Sequence, residues 1–347
     1  MLQIDGSQGE GGGQVLRTSL ALACLTQTPI QILNIRARRP KPGLQAQHLQ
    51  AVRAAGAITQ AKLSGDQLGA QSLYFAPGPI QAGEYQFDIG TAGATTLVLQ
   101  TVFFPLCFAE RVSHLTITGG THVPWSPAFP YLTWNWLPCL REMGVRATVN
   151  LERAGFYPQG GGRVRAEIHP AGMLAPLHWT ERGAPRGVRA LSGAANLPGH
   201  VNQRQIARLR AGLGAQVSVE SQELFAPSPG SVAVALAEFE RGRGCFVGLG
   251  KKGKPAEAVA EEALTGLTKF LASPATVDAH LADQLLLPCA LASGVSEFTT
   301  PEVTQHLLTN AAVIEQFGVA EISIRGRVGA PGQVRVKGQT KAQTLQR

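Results

Sequence analysis

One histidine in this 347-residue sequence stands where covalent chemistry is possible: His306, in the segment SEFTTPEVTQHLLTNAAVIEQF of residues 296–317. Apolar residues flank it in a pattern typical of a helix. An imidazole there can act as a base, a metal ligand or a nucleophile, or it can be a packed or surface residue without chemistry. No second histidine stands at ligand spacing, which disfavours the metal site. The residue types alone leave the other readings open.

The segment GSQGEGGGQVLR, residues 6–17, surrounds the carboxylate of Glu10 with glycines immediately before an apolar helix pattern. Glycines let a backbone approach phosphates closely, and the N-terminus of the following helix favours anions. A carboxylate in such a loop can hold a divalent metal against those phosphates. A tight strand-to-helix turn without function explains the same residues.

The segment RARRPKPGLQAQH, residues 36–48, contains four cations within six positions, namely Arg36, Arg38, Arg39 and Lys41. Its prolines keep the stretch out of a helix, so the side chains fan out from a loop. Arginine forks match phosphate geometry, and polar Gln47 follows just inside the next helix. This pattern favours phosphate binding over a merely solvated basic loop.

Two further glycine-rich segments are weaker signals. GLGKKGKPAEAV, residues 248–259, resembles both a dinucleotide fingerprint and a Walker A loop. The Walker loop needs a hydroxyl after its lysine, however, and Pro255 follows Lys254 here. GFYPQGGGR, residues 155–163, lies between two strand patterns, where a hairpin explains its glycines. Neither segment predicts a nucleotide site by itself.

Short strand patterns alternate with helical ones along the chain, which predicts an α/β fold. Three helical segments open in a similar way after a glycine-rich or polar turn, which suggests three copies of one α/β unit: GEGGGQVLRTSLALA, GTAGATTLVLQTV and DAHLADQLLLPCALA. Residues 181–275 carry their own strand and helix pattern, which suggests a smaller inserted domain. We therefore expect a large domain of residues 1–180 and 276–338, and a mobile tail at 339–347.

The composition limits the class of protein. The chain has 31 basic against 23 acidic residues and a net charge of +8, which suits either a phosphate-rich partner or an ordinary basic surface. Its five cysteines are far apart and mostly set in apolar runs, so we expect buried free thiols and a cytoplasmic location. The N-terminus lacks the features of a signal peptide, and no apolar run approaches the roughly 20 residues of a membrane span.

Taken together, these segments resemble one family, the RNA 3′-terminal phosphate cyclases. The resemblance runs over roughly residues 3–338 and depends on six blocks in the family's order and spacing: DGSQGEGGGQVLR, IRARRPKPGLQAQHL, GTAGATTLVLQT, GFYPQGGG, LADQLLLP and HLLTN. It implies an α/β (α+β) fold of three repeated units, each similar to the C-terminal domain of bacterial translation initiation factor three. A smaller α/β domain is then inserted before the third unit.

The resemblance also implies an activity on RNA that carries a 3′-phosphate. His306 would accept AMP from ATP and release pyrophosphate, and the AMP would then pass to the RNA phosphate. Attack by the neighbouring 2′-OH would expel AMP and leave a 2′,3′-cyclic phosphate. Because a phosphoanhydride can expel AMP whereas a terminal phosphate cannot expel oxide, the covalent route solves a leaving-group problem.

Further site residues follow from the same resemblance. Glu10 is expected to bind Mg²⁺ or Mn²⁺, and Asp283 to act on His306 or on the metal. Arg38 is expected to point into solvent. The phosphates of ATP or RNA are assigned to Arg17, Arg36, Arg39, Lys41 and Gln47. The ATP site is assigned to Gln100, Pro127, His280, Leu281, Ala282, Asp283 and Gln284, with Pro127 as one wall of the adenine slot.

Two rival functions stay open at this stage. The family includes non-catalytic members that act in ribosome maturation and lack a histidine at the HLLTN position, so His306 favours an enzyme. A P-loop NTPase using residues 248–255 is the more distant rival.

Overall fold

Four four-stranded sheets with helices packed on them make up the protein in the computed structural model, which describes residues 1–214 and 216–339. The chain is therefore a mixed α/β protein, as the alternation of strand and helix patterns predicted. Three of the sheets share one strand order and one set of strand directions. We call each of these sheets with its helices a unit and number the units along the chain.

The first unit occupies residues 1–76. Its elements are β1 (Leu2–Asp5), α1 (Gly13–Thr26), β2 (Ile30–Leu33), α2 (Ala46–Thr59), β3 (Lys62–Ser64) and β4 (Leu73–Ala76). The strand order is β1-β2-β4-β3, in which β1 and β2 are parallel and the other two pairs are antiparallel.

The second unit repeats this arrangement as β5-β6-β8-β7, again with one parallel and two antiparallel pairs. Its elements are β5 (Glu84–Asp88), α3 (Thr95–Cys107), β6 (Ser113–Gly119), α4 (Phe129–Tyr131), a π-helical turn (Leu132–Trp136), α5 (Leu137–Glu142), β7 (Ala147–Arg153) and β8 (Gly162–Ile168). The GFYPQGGG segment forms the hairpin loop between β7 and β8.

The third unit is interrupted by the fourth sheet. In chain order its region contains β9 (His178–Trp179), β10 (Pro185–Ala195), α6 (Gly199–Leu213), β11 (Val219–Glu223), β12 (Gly230–Phe239), β13 (Gly242–Leu249), α7 (Ala256–Leu271), α8 (Ala279–Gln284), α9 (Leu286–Leu291), β14 (Val295–Thr300), α10 (Gln305–Gln316), β15 (Ala320–Arg325) and β16 (Gly332–Gly338). The third unit uses β9-β14-β16-β15, and the fourth sheet is β11-β10-β12-β13.

The position of the insertion differs from the expectation in one detail. Strand β9 precedes the fourth sheet, yet it pairs in parallel with β14, which follows it. The insertion therefore lies inside the third unit, after its first strand, and the expectation that it precedes this unit is wrong. Strand β9 has only two residues and forms one edge of the third sheet. So short a strand gives no clear alternating pattern in the sequence.

The three helices that the sequence grouped together occupy one position in the topology, because each follows the first strand of its unit. They are α1, α3 and the pair α8–α9. The likeness of each unit to the C-terminal domain of translation initiation factor three stays a prediction. Strand β16 shows how the pattern selects a face: Val334 and Val336 are fully buried, whereas Arg335 and Lys337 between and after them are exposed.

The fourth sheet is packed on both faces. On one face, Leu191, Val234 and Leu236 join a cluster with Tyr131 and Phe156 of the second unit. The other face is covered by α6 and α7, whose Leu209, Leu264 and Phe270 are buried there. Because both faces exclude water, burial of apolar side chains holds the insertion against the second unit.

Several smaller expectations can be compared with the structure. All five cysteines are free and buried. Among the described residues, no helix is long and apolar enough to cross a membrane. At the expected tail, the backbone N–H of Gln339 donates to the Val319 carbonyl, at 2.9 Å, and residues 340–347 lie outside the described residues.

Candidate active site

The glycine-rich loop between β1 and α1 brings Glu10 to His306. Oε2 of Glu10 lies 2.9 Å from Nε2 of His306 and 2.9 Å from Nη2 of Arg39. The Glu10 side chain is only 11% exposed, whereas that of His306 is 47% exposed. A nearly buried carboxylate thus holds an imidazole whose ring is open to a ligand.

The glycines of this loop leave room for the charged side chains. A Cβ on Gly12 would lie 2.5 Å from Oε1 of Glu10 and 2.7 Å from Nη2 of Arg39. A Cβ on Gly13 would lie 2.5 Å from Nε2 of His48 and 2.7 Å from Nη1 of Arg17. All four distances are below van der Waals contact, so any larger residue would displace the groups that form the site.

His306 is the second residue of α10, and the N-cap of this helix is Thr304, whose Oγ1 accepts from the Leu307 N–H at 3.0 Å. The hydrogen bond to Glu10 raises the pKa of His306. Burial opposes this shift, and the negative charges of Glu10 and Asp283 add to it. The structure therefore stabilises the imidazolium form.

The pKa of Glu10 moves in the complementary direction. Burial acts to raise it, but the hydrogen bond and charge of His306, together with Arg39 and Arg17, outweigh burial and lower the pKa. Glu10 is therefore ionised at neutral pH. Its Oε2, at 2.9 Å from Nε2, can accept the hydrogen bond of a protonated His306.

Asp283 lies in α8 and is 8% exposed. Burial raises its pKa to about 6, against the opposing charges of His280, His306 and Arg17. Arg17 itself is half-buried, and burial lowers its pKa to about 10, so it remains a cation at neutral pH. The site therefore contains two carboxylates and two arginines around one histidine.

Three residues without an assigned role connect the elements of the site. The Thr18 hydroxyl donates to Oδ1 of Asn310 at 2.7 Å, and Nδ2 of Asn310 donates to the Asp283 carbonyl at 2.7 Å. Thr309 lies against Gly9, and its hydroxyl is 3.4 Å from the Glu10 N–H. These contacts join α1, α8 and α10. The HLLTN block contains Thr309 and Asn310, so the signal was present, but only the contacts show their role.

The predicted nucleotide residues come from two units. Nε2 of Gln100 in α3 donates to Oε1 of Gln284 in α8, at 2.8 Å. The Pro127 carbonyl accepts from the Thr96 hydroxyl of α3, at 2.8 Å. The structure thus brings Gln100 next to Gln284. Pro127 is bonded to Thr96, which lies one turn before Gln100 on α3. This arrangement is compatible with a slot between the second and third units.

The strip from His280 to Gln284 is not uniform. Leu281 and Ala282 are fully buried, so they can offer a ligand at most their backbone. His280 is exposed, and Gln284 is half-buried. Only His280 and Gln284 therefore present side chains outside the core.

One buried carboxylate that sequence reasoning missed organises this region. Asp278 is 1% exposed, and its Oδ1 accepts from the Tyr131 hydroxyl at 2.9 Å and from the first N–H groups of α8. Its Oδ2 accepts from Nδ2 of Asn135 at 2.8 Å and from the Cys245 N–H at 3.2 Å. The carboxylate therefore joins the second unit, the fourth sheet and the helix that carries Asp283. Its partners are distant in sequence, so no local pattern could have revealed it.

The basic side chains of the loop of residues 36–41 make different contacts. Arg39 reaches Glu10, as described above. Nη1 of Arg36 instead donates to the carbonyls of Lys41 and Gly43, at 2.5 and 2.9 Å, so it also holds its own loop. Lys41 is exposed. The loop therefore presents Arg39 and Lys41 more freely than Arg36.

Arg38 points into solvent, as expected, and it also contacts the glycine loop. Its side chain is exposed, but Nη1 donates to the Gly9 carbonyl at 3.2 Å, and its aliphatic part lies against Gly11. The expected exposure is thus confirmed, and the contact with the glycine loop is additional, because the fold places the two loops side by side. Gln47 is also engaged: its Oε1 accepts from the Ala94 N–H at 2.9 Å, at the start of α3.

The loop of residues 248–255 contains no corresponding cluster. Nζ of Lys254 lies 2.6 Å from Glu262 and donates to the Leu249 carbonyl at 2.8 Å. The strand before the loop, β13, is an edge strand antiparallel to β12, unlike the parallel strand of a Walker fold. Lys254 is thus bound to its own domain.

A metal site built from protein groups alone is not present in the part of the chain that the structure describes. No group of three or more His, Cys, Asp or Glu side chains converges there in a way that could hold an ion. The Glu10 carboxylate is nevertheless a hard oxygen ligand, and it lies in a glycine-rich loop whose backbone a ligand can approach closely. Such a site fits an ion that takes its remaining ligands from phosphates and water, as Mg²⁺ does.

Comparisons with known proteins agree with these features. The family model described as RNA 3′-terminal phosphate cyclase matches residues 8–324. Curated proteins of that name are similar over nearly their whole length. The protein from Methylococcus capsulatus is 46% identical, with 97% of each chain covered. The one from Nostoc punctiforme is 47% identical over 93% of this chain and 96% of its own. The one from Archaeoglobus fulgidus is 45% identical over 91% and 95%.

Among solved structures, the enolpyruvyl transferase NikO from Streptomyces tendae matches 97% of this chain and 48% of its own, with 10% identity and a TM-score of 0.39. This chain therefore spans about half the length of that protein.

Proposed function

Because the chain belongs to the RNA 3′-terminal phosphate cyclase family, we propose that it uses ATP to convert an RNA 3′-phosphate into a 2′,3′-cyclic phosphate, with His306 as the residue that accepts AMP. The observation that carries this proposal is the contact between His306 and Glu10. It holds a half-exposed imidazole beside a buried carboxylate, and residues of the first and third units surround it.

In the first step, Nε2 of His306 attacks the α-phosphorus of ATP, a P–N bond forms, and pyrophosphate leaves. The attacking nitrogen needs a free lone pair, so the proton on Nε2 must leave it. Oε2 of Glu10, at 2.9 Å, is positioned to take that proton. Nδ1 then retains the second ring proton.

In the later steps, the AMP passes to the RNA 3′-phosphate and restores free His306. The 2′-OH of the same nucleotide then attacks that phosphorus and expels AMP, which closes the cyclic phosphate. Arg17 and Arg39 lie beside Glu10, where Arg17 can neutralise the phosphates of ATP and Arg39 the terminal phosphate of the RNA. The Gln100–Gln284 pair and Pro127 are proposed to hold the adenine side of ATP.

Glu10 is also proposed to hold Mg²⁺ or Mn²⁺, which would supply positive charge to the triphosphate. The proton and the metal would use the same carboxylate. Replacement of Glu10 therefore affects both the pH profile and the metal requirement, and the two effects can be measured separately.

The test is to incubate the protein with metal and either α-labelled or γ-labelled ATP, without RNA. We expect a covalent, acid-labile label from the α-phosphate and none from the γ-phosphate. Release of labelled phosphate from γ-labelled ATP would instead indicate an NTPase. Absence of both signals would indicate a non-catalytic member of the family.

A further inference from the structure

Three large aromatic side chains are strongly exposed in this protein, although aromatic residues make up only 6% of it. Trp125 is 99% exposed, Tyr157 is 72% exposed and Phe225 is 75% exposed. Exposed aromatic side chains cost solvation free energy, so their grouping on neighbouring loops indicates a binding surface. The roles proposed above account for none of the three.

The hairpin loop between β7 and β8 links these aromatic residues. The Ala154 N–H donates to the Phe225 carbonyl at 2.8 Å. The Phe156 ring, which is buried, stacks on His122 with 5.2 Å between ring centroids. Tyr157 follows directly in the hairpin. Tyr157 is three residues after Ala154. Tyr157 and Phe225 therefore lie on two segments that this backbone hydrogen bond joins.

Two lysines of the loop of residues 248–255 lie near this hairpin. The Gly250 N–H donates to the Ser231 carbonyl at 2.8 Å, and the neighbouring Gly230 packs against the Phe156 ring. Lys251 and Lys252 follow Gly250 and are exposed. Within residues 1–214 and 216–339, no carboxylate forms an ion pair with either ammonium group. The two unpaired lysines therefore lie on a loop whose backbone is bonded to the strand that packs against the hairpin.

A chain of contacts connects this surface to the candidate active site. Gly160 of the hairpin lies so close to the turn before α3 that a Cβ on it would be 2.7 Å from the Ala92 Cα. That turn is bonded to Gln47 through the Ala94 N–H. The next residue, His48, lies against Gly13 in the glycine loop of the site. Contacts through the first and second units thus join the hairpin to the glycine loop of the site.

We propose that Tyr157, Phe225, Lys251 and Lys252 form a surface that binds the single-stranded RNA upstream of its 3′ end. Bases would stack on the two rings, and phosphates would lie beside the two lysines. Aromatic rings beside cations are the combination that single-stranded nucleic acids bind without base specificity. We name this group the aromatic–lysine surface, and it deepens the proposed function, on which it rests. Trp125 is left out because it stands two residues from Pro127, on the nucleotide side.

The experiment measures direct binding, which does not depend on catalysis. The probes are a fluorescent, 3′-phosphorylated RNA of about twelve nucleotides and a dinucleotide with the same end. The variants are Tyr157→Ala with Phe225→Ala, and Lys251→Ala with Lys252→Ala. We expect each pair to raise the Kd of the longer RNA about tenfold or more and to leave the dinucleotide unchanged. The lysine pair should also flatten the dependence of Kd on salt.

Matched controls are the exposed Leu68 and Lys269, each changed to alanine, and neither should alter the Kd. If both pairs of variants bind the longer RNA with unchanged Kd, the proposal that this surface binds RNA is wrong. An equal loss with the dinucleotide would also overturn it, because the residues would then act at the 3′ end. If the wild-type protein forms no adenylate but the longer RNA still needs these four residues, the proposed function fails and the surface stands.

Discussion

Two glycine-rich loops of this chain each precede a helix and carry a charged side chain, but their surroundings differ. The loop of residues 6–12 places Glu10 against His306 and Arg39, which come from other parts of the chain. The loop of residues 248–255 places Lys254 against Glu262 of the helix that follows it. In the first loop the charged group meets partners that can react. In the second it meets a partner that only neutralises it.

The difference shows what glycines contribute to a site. They let side chains and ligands approach the backbone, and both loops have that property. Chemistry requires in addition that reactive groups from separate elements converge, and only the first loop is crossed by α10 and by the loop of residues 36–41. Four predictions test this comparison, in order of decreasing effect.

The largest effect is expected from the histidine. His306→Ala removes the attacking nitrogen, so self-adenylylation and cyclisation should fall at least about a thousandfold. His306→Asn should fail equally, because an amide is no nucleophile. The measurement is labelling with α-labelled ATP, with circular dichroism to check the fold.

His200 is a matched control for this substitution, because it is also the exposed second residue of a helix, α6. His200→Ala should leave labelling unchanged. If His306→Ala cyclises RNA at the wild-type rate, His306 is not the nucleophile.

The second prediction concerns the division between ATP and RNA. Arg39→Ala removes a charge-assisted contact at the site, which should slow AMP transfer to RNA about a hundredfold and leave self-adenylylation near normal. Adenylated protein should then accumulate. The measurement is single-turnover transfer from pre-adenylated protein to a short 3′-phosphorylated RNA.

The control for Arg39 cannot be Arg38, which is bonded to the Gly9 carbonyl. Arg53, on the exposed face of α2, is suitable, and Arg53→Ala should transfer AMP normally. Slow adenylylation with normal transfer in Arg39→Ala would assign this arginine to ATP instead.

The third prediction concerns pH and metal. Because Glu10 raises the pKa of His306, the imidazole is neutral and nucleophilic only above that raised value. The adenylylation rate should therefore rise with pH through this pKa. In Glu10→Gln the hydrogen bond to a charged partner is lost, so the half-maximal rate should move to lower pH.

The same variant should need about tenfold more metal for half-maximal labelling, since contacts of Mg²⁺ with a single carboxylate are few and shared with phosphates. Glu257→Gln, an exposed carboxylate paired with Arg204, is the control. An unchanged pH profile would contradict the proton role of Glu10, and an unchanged metal titration would make Asp283 the next candidate ligand.

The smallest effect is expected at the second loop. Lys254→Met should leave ATP labelling and cyclisation within about twofold of wild type. Loss of its partly exposed ion pair should lower the free energy of unfolding by at most about 1 kcal/mol. Urea unfolding and the labelling assay measure the two quantities. A large loss of ATP use would show that this loop binds nucleotide after all.

The sequence by itself determined the kinds of element and most of the residue types at the site. Alternation and helix periodicity identified the α/β class, because burial of one face imposes those periods on the chain. Glycines beside Glu10, the cluster of arginines and the block around His306 were visible because each is local. The same reasoning missed contacts whose partner was remote, as with the Gly9 carbonyl that accepts from exposed Arg38.

Only the tertiary structure decided which of these residues meet. It joined Glu10 to His306 across 296 positions of sequence, placed β9 in the third sheet beyond the insertion, and bound Lys254 within its own domain. It also revealed the buried Asp278, whose donors lie in three separate segments. Contacts between distant residues depend on how whole units pack, and packing leaves no short-range period in the sequence from which it could be predicted.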